Sequence, residues 1–306
     1  MWKPEILVLG PGGIKGFLEL GALVALQSEG MFSDVTTYVG VSVGAIISLL
    51  LVVGYTVTEI IGEAADANIF EDISCVSWKD VKENLGLISS APIKRKLTRS
   101  VMEKYGYIPN LEQLYHSTGL KLVCVTANLD KECPEYMSYE TEPYISCVDA
   151  VMYSMNIPII FYKLKYKGCV YVDGALANPY PVDEYDDGTM NILGIYIEST
   201  RRTDQEPSDS TTTMYIHKLI QFTMSRLRDQ IIKTCSEKCK HLCLQSHIVD
   251  STGLSIDAHL KADMILDGYQ HAQRFMEKLR SGEQSSPSEE NSAISSEEED
   301  LEIKCE

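Results

Sequence analysis

Val35-Thr36-Thr37-Tyr38-Val39-Gly40-Val41-Ser42-Val43-Gly44-Ala45-Ile46-Ile47-Ser48-Leu49-Leu50 is the stretch on which the reading of this chain turns. The β-branched and aromatic residues before Gly40 favour an extended strand, and the apolar run after Gly44 favours a helix. A serine in the sharp turn between them takes a tight backbone shape that thrusts its side chain outward. Glycines two residues to either side remove Cβ atoms that would clash with strand and helix. Ser42 is therefore expected to stand exposed on a rigid knuckle, near the unpaired N–H groups and positive dipole end of the next helix. Gly-x-Ser-x-Gly is also short enough to occur by chance in unrelated proteins.

Upstream, Glu5-Ile6-Leu7-Val8-Leu9 reads as a buried strand closed by Gly10-Pro11-Gly12-Gly13. Ile14 to Leu26 suits a helix buried on much of its surface, with Gly30 placed to stop it. Strand, glycine turn, helix, strand, serine turn, helix implies right-handed βαβ units and a parallel sheet, with both turns opening at one sheet edge where such sheets bind ligands. Thr56 to Phe70 reads as a helix capped by Thr56 or Thr58, while residues 71 to 118, with Pro92 and Pro109, give no clear pattern. Leu120 to Ala127 is a further buried strand, and residues 146 to 156 a helix halted by Ile157-Pro158. Cys169 to Val172, Asn191 to Ile197 and His247 to Val249 read as strands, Met214 to Leu244 as a long helix, and Lys261 to Leu279 as a closing helix. No internal repeat is evident. The expected fold is three-layer α/β/α with a mostly parallel central sheet, one domain over residues 1–280, followed by an acidic Ser/Glu-rich tail, 281–306, too polar to order itself.

The 306 residues are 44% apolar, enough for a substantial core, and the net charge of −17 argues against a general nucleic-acid binder. The tail holds nine acidic residues and one lysine, nearly half of that excess. Nine scattered cysteines, an odd number, suggest reduced thiols rather than a disulfide framework. Met1-Trp2-Lys3-Pro4 opens no secretory signal or myristoylation site, the penultimate Cys305 fits no prenylation box, and the apolar run Val43 to Val53 is too short to span a bilayer. A cytoplasmic protein is expected.

The turn Gly10-Pro11-Gly12-Gly13-Ile14-Lys15-Gly16 has three readings: a phosphate cradle at a helix start, a loose relative of the dinucleotide fingerprint, or glycines for tight strand-to-helix packing. No Gly-Lys-Ser/Thr follows, so it is not a Walker A loop. Beside a serine nucleophile it gains a fourth, since acyl transfer needs donors where charge develops on the carbonyl oxygen. Gly12 and Gly13 could supply their amides, whereas Pro11 has none. Activation of Ser42 needs a base. The histidines at 116, 217, 241, 247, 259 and 271 sit in no recognisable catalytic context, whereas Tyr171-Val172-Asp173-Gly174-Ala175 places a carboxylate at a strand end beside a turn. Burial would have to raise its proton affinity; otherwise Asp173 merely caps the turn.

Three further features compete with bland readings. Lys94-Arg95-Lys96 with Arg99 could touch lipid phosphates or form a solvated helix face. Cys235, Cys239 and Cys243 recur every four residues, with His241 and His247 near, and read as a helical seam in preference to a metal site. Ser295 and Ser296 precede an acidic run resembling an acidic-directed kinase site.

Ile6-Leu-Val-Leu-Gly-Pro-Gly-Gly-Ile-Lys-Gly16, Gly40-Val-Ser-Val-Gly-Ala45, Asn156-Ile-Pro158, Tyr171-Val-Asp-Gly-Ala175 and Asn178-Pro-Tyr-Pro181 together resemble the patatin-like phospholipase family, in its order, from about residue 5 to 280. The resemblance implies a calcium-independent lipid acyl hydrolase of the phospholipase A or lysophospholipase type with a Ser-Asp dyad. Ser42 falls on its nucleophile, Asp173 on its base, Gly12 and Gly13 on its oxyanion donors, and Lys15 where the family places Arg or Lys. Gly10, Gly16, Gly40, Gly44 and Gly174 fall on its motif glycines, and Pro11 departs from its usual glycine. An acyl-lipid substrate, transient contact with a membrane surface and no metal or organic cofactor are the corresponding expectations. Acyl transfer or neutral-lipid hydrolysis at the same site, or an idle lipid- or nucleotide-binding module, remain as alternatives.

Overall fold

Each central strand is apolar on both faces, and that decides the layering. Ile6, Val8, Val39, Val41, Val123 and Val125 enter one buried cluster, while the alternating Leu7, Leu9, Tyr38, Leu122 and Cys124 enter another. Two-sided burial is why these segments read as unbroken hydrophobic runs. The computed structural model describes residues 2–65, 84–199, 212–246 and 258–281.

The first half runs β1 Ile6–Leu9, a 3-10 turn Gly13–Lys15, α1 Gly16–Ser28, β2 Thr37–Val41, α2 Val43–Val53, α3 Val57–Ala65, β3 Gly86–Ile88, α4 Ala91–Tyr105 and α5 Leu111–Thr118. It continues through β4 Lys121–Asn128, β5 Cys133–Met137, α6 Cys147–Ser154, β6 Ile159–Phe161, β7 Leu164–Tyr166 and β8 Cys169–Asp173. A second 3-10 turn, Gly174–Leu176, leads to β9 Ile192–Ser199, α7 Thr212–Thr234, β10 Cys239–Ser246 and α8 Ala258–Ser281. The eight-stranded sheet connects β10, β9, β1, β2, β4, β8 and β7 in that order, with β5 also on β4, and β3 pairs β6 separately. The pairings among β10, β9, β1, β2 and β4 are parallel, whereas β5, β7 and β8 join antiparallel. Residues of α1, α2, α4, α5, α6 and α8 cover one face, and α7 with the segment after β8 covers the other. The expected three-layer α/β/α fold with a mostly parallel sheet is what the chain forms.

The helix expected over Met214 to Leu244 is corrected: α7 ends at Thr234, and Cys239–Ser246 is a strand. A spacing of four residues keeps side chains on one side of a strand as well as of a helix, so the cysteine repeat could not distinguish them. The unread span 71 to 118 holds two described helices. Pro92 lies in the first turn of α4, where its missing N–H costs nothing. A reciprocal Asn110–Gln113 capping box opens α5. Thr56 and Glu59 form the same kind of exchange before α3. The expected strand at His247 to Val249, residues 66–70 of the helix expected from Thr56, and the acidic tail lie outside the described residues.

Candidate active site

Strand registers explain how residues 131 positions apart come together. Cys124 and Val125 of β4 pair with β2 and with β5, while Thr126, Ala127 and Asn128 pair with β5 and with β8. A strand has only two edges, so β5 holds one and β2 and β8 share the other, end to end. β2 finishes with Val41 opposite Val125, and β8, running the other way, finishes with Asp173 opposite Thr126. Ser42 and Asp173 are thus the residues at which two strand ends meet.

Ser42 has φ 58° and ψ −122°, a strained shape for a residue with a side chain, and α2 begins at the next residue. Its N–H donates to Ser154 Oγ at 3.1 Å, tying the elbow to the last residue of α6. Gly40 lies in β2. Gly44 lets the helix start approach the end of β1 closely: a Cβ there would stand 2.4 Å from the Leu9 carbonyl oxygen. The expectation of an exposed serine is corrected, because Ser42 is only 4% accessible. It ends a central strand at the junction with α6, β8 and the glycine loop, and those neighbours enclose it.

Asp173, also 4% accessible, is held from both sides. Its N–H donates to the Asn156 carbonyl at 2.9 Å, and its Oδ1 accepts from the Ala175 N–H at 2.9 Å. Asn156 Nδ2 donates in turn to the Tyr171 carbonyl at 2.9 Å. Burial pushes the Asp173 carboxyl up to about 6, opposed by hydrogen bonds from the Ser42 side chain and the Ala175 amide. The residue therefore caps its turn and faces the serine at once. Gly174 passes directly beside Val125 of β4.

The glycine loop forms the third side. Gly10 N–H continues the sheet pairing to the Ile195 carbonyl at 3.0 Å. Gly13 has φ 54°, and among the described residues neither the Gly12 nor the Gly13 amide has an acceptor. Gly16 abuts the Val43 side chain, so the loop docks on the elbow, since a Cβ there would lie 2.8 Å from Val43 Cγ2. Lys15 is buried and donates from Nζ to Ser199 Oγ at 2.7 Å, at the end of β9; burial lowers its pKa. Two surface clefts, one bounded by Tyr55, Glu59 and Lys104 and the other by Lys131, Glu135 and Glu184, are lined by other residues.

Sequence reasoning missed Ser154, whose hydroxyl carries no motif, and assigned no task to Asn156. Among the histidines, His241 pairs with the Tyr180 hydroxyl, and His259 and His271 bond to Asp263 and to the Asp267 carbonyl within α8. The basic cluster lies on α4 among acidic neighbours: Lys94 pairs with Asp149, Arg99 with Glu63 and Glu103, and Lys96 donates to the Glu63 carbonyl. All seven described cysteines are free thiols.

The family model for patatin-like phospholipase matches residues 7–186, which includes the glycine loop, the elbow and Asp173. The chain belongs to the patatin-like phospholipase family. Among its relatives is probable lipid hydrolase 463L of Invertebrate iridescent virus 6, 31% identical over 182 residues that cover 58% of this chain and 62% of that protein. Uncharacterized protein R571 of Acanthamoeba polyphaga mimivirus is 27% identical over 65% of this chain and 67% of its own length. Lysophospholipase NTE1 of Lodderomyces elongisporus is 23% identical over 68% of this patatin-like chain but only 13% of the yeast protein. The matched regions thus leave much of the first and third of these relatives unspanned. In fold, the chain is similar to VipD from Legionella pneumophila, with a TM-score of 0.56 and 17% identity over 90% of this chain and 67% of VipD.

Proposed function

We propose that this patatin-like protein is a lipid acyl hydrolase of the phospholipase A or lysophospholipase type, cleaving fatty acyl esters through a covalent Ser42 intermediate. The observation that carries this reading is the meeting of the strained Ser42 with a buried carboxylate whose pKa is lifted to about 6. In the proposed sequence, Asp173 takes the hydroxyl proton as Ser42 Oγ attacks the acyl carbon. The Gly12 and Gly13 amides receive the developing oxyanion. The proton then passes to the departing lysolipid or alcohol oxygen, leaving the acyl chain on Ser42. Asp173 next deprotonates a water, whose attack releases the fatty acid and returns the proton to Ser42. Base and charge stabilisation come from the chain itself, so calcium independence is part of the proposal.

Contact with a lipid surface fits one further feature. On α7, Tyr215, Leu219 and Phe222 recur at helical spacing and are 58%, 49% and 68% exposed. The same helix touches the 3-10 turn that follows Asp173. Such an apolar stripe suits shallow insertion among lipid headgroups.

The test is fatty-acid release from phospholipid and lysophospholipid vesicles in calcium-free buffer. Wild type is expected to release acid, and Ser42→Ala and Asp173→Asn each to lose at least about 10⁴-fold in kcat/KM while remaining folded. Full activity in either folded variant would overturn the assignment.

A further inference from the structure

A second cluster of reactive side chains sits at the opposite end of the sheet from Ser42. Cys239 opens β10 beside Ile192, the first residue of β9, and Ile192 lies beside Ile6 at the start of β1. There the Asp186 carboxylate and the thiols of Cys235 and Cys239 each offer one ligand atom, all within 4.8 Å of one another. Two sulfur ligands about 2.3 Å from one ion at the tetrahedral angle stand about 3.8 Å apart, so capture of an ion needs shifts of about 1 Å or less. His241 is two residues beyond Cys239 on the same side of β10, outside the three-ligand cluster, so its ring has to shift toward the thiols to complete a coordination shell.

The surroundings orient these groups. His241 Nδ1 pairs with the Tyr180 hydroxyl at 2.9 Å, which leaves the other ring nitrogen for a ligand. Tyr180 is fully buried and stands over Gly194, the partner of His241 in the sheet. Asp186 Oδ2 accepts from the Ser236 N–H at 2.5 Å and Oδ1 from the Ser236 hydroxyl at 2.6 Å. Cys235 Sγ donates to the Ile231 carbonyl at 3.2 Å, a contact that a cation would replace.

We propose that Asp186, Cys235, Cys239 and His241 form a four-coordinate structural site for a thiophilic divalent cation, zinc being the one that suits two thiolates, an imidazole and a carboxylate. Binding releases the thiol protons and involves no change of oxidation state. With four protein ligands the site is closed, and it ties the connection between α7 and β10 to the Asp186 loop.

The test uses the full chain, purified with its thiols reduced and without chelator. Zinc content by plasma mass spectrometry is expected at one ion per chain, released by a mercurial thiol reagent. Co²⁺ added to the stripped protein is expected to give a thiolate-to-cobalt charge-transfer band and the visible bands of tetrahedral cobalt. Cys235→Ser and Cys239→Ser should each abolish the charge-transfer band or move it strongly, and His241→Gln should weaken Co²⁺ affinity at least about tenfold. Since a ligand variant could fail to fold, the wild-type titration stands alone as a test. No charge-transfer band from the reduced wild type, an unchanged band in both cysteine variants, or a Cys235–Cys239 disulfide persisting in reductant would each overturn the proposal.

Discussion

At the scale of single residues, the candidate site carries two energetic costs for which the proposed chemistry would account. Ser42 at φ 58° costs on the order of 1–3 kcal/mol in backbone strain. Ser42→Gly is therefore expected to abolish hydrolysis and yet raise unfolding stability by about 1 kcal/mol, read from urea midpoints. Asp173 carries the second cost. The folded protein holds its proton up to about pH 6, against 3.8 for an ordinary aspartate, so ionisation opposes folding. That cost is absent below about pH 4, grows as pH rises through 6 and reaches on the order of 3 kcal/mol above 7. Asp173→Asn should accordingly be more stable than wild type at pH 8 by up to that amount, with the difference vanishing near pH 4; an equal gap at both pH values would refute the burial argument. The same ionisation should make kcat/KM rise with pH around a midpoint of about 6. Ser154→Ala leaves the buried Ser42 N–H without its acceptor and should lower stability by about 1–3 kcal/mol. At this scale the motifs pointed to Ser42, Asp173 and the glycines as candidates, because each demands an unusual backbone or charge. Ser154 stayed hidden because any hydroxyl at a helix end looks ordinary until the chain brings it to another element.

Among the elements, the contact between loop and elbow is the most exacting. Gly44→Ala would drive a methyl against the Leu9 carbonyl oxygen, a backbone atom that cannot step aside. The expected result is a loss of several kcal/mol, typical of severe overpacking, or failure to fold, seen as a lowered thermal midpoint and poor soluble yield. Gly62→Ala is the control, since nothing lies within 4 Å of its added carbon and α3 favours alanine. Strands β1, β2, β4 and β9 and the first two helices were legible because two-sided burial and glycine punctuation act locally, whereas the short β3, β5, β6 and β7, less buried, gave no such pattern. Nor was the end of α7 legible. Four-residue spacing serves helix and strand alike, and only pairing with β9 over Cys239–Ser246 decides for the strand. The antiparallel entry of β8, which delivers Asp173, depends on a partner strand over 40 residues away and left no local trace.

For the molecule as a whole, buried ionisable groups shape the pH response. Glu19 on α1 is fully buried, neither carboxyl oxygen has a partner among the described residues, and burial lifts its pKa well above the usual range. Its ionisation opposes folding with the same sign as that of Asp173, so Glu19→Gln should gain on wild type in thermal midpoint as pH rises above 5. A constant difference from pH 4 to 8 would contradict this. The acidic balance of −17 is consistent with an approach to lipid led by the apolar stripe on α7 more than by basic residues, since Lys94, Lys96 and Arg99 have partners within the chain. Asp173 and Ser42 joined as base and nucleophile remain the centre of the account. Peptide mapping by mass spectrometry after treatment with a fluorophosphonate tests it most directly. Modification confined to Ser42 in the wild type, and slowed at least about 100-fold in folded Asp173→Asn, is the predicted result. An unmodified Ser42, or an equal rate in the two proteins, would contradict it.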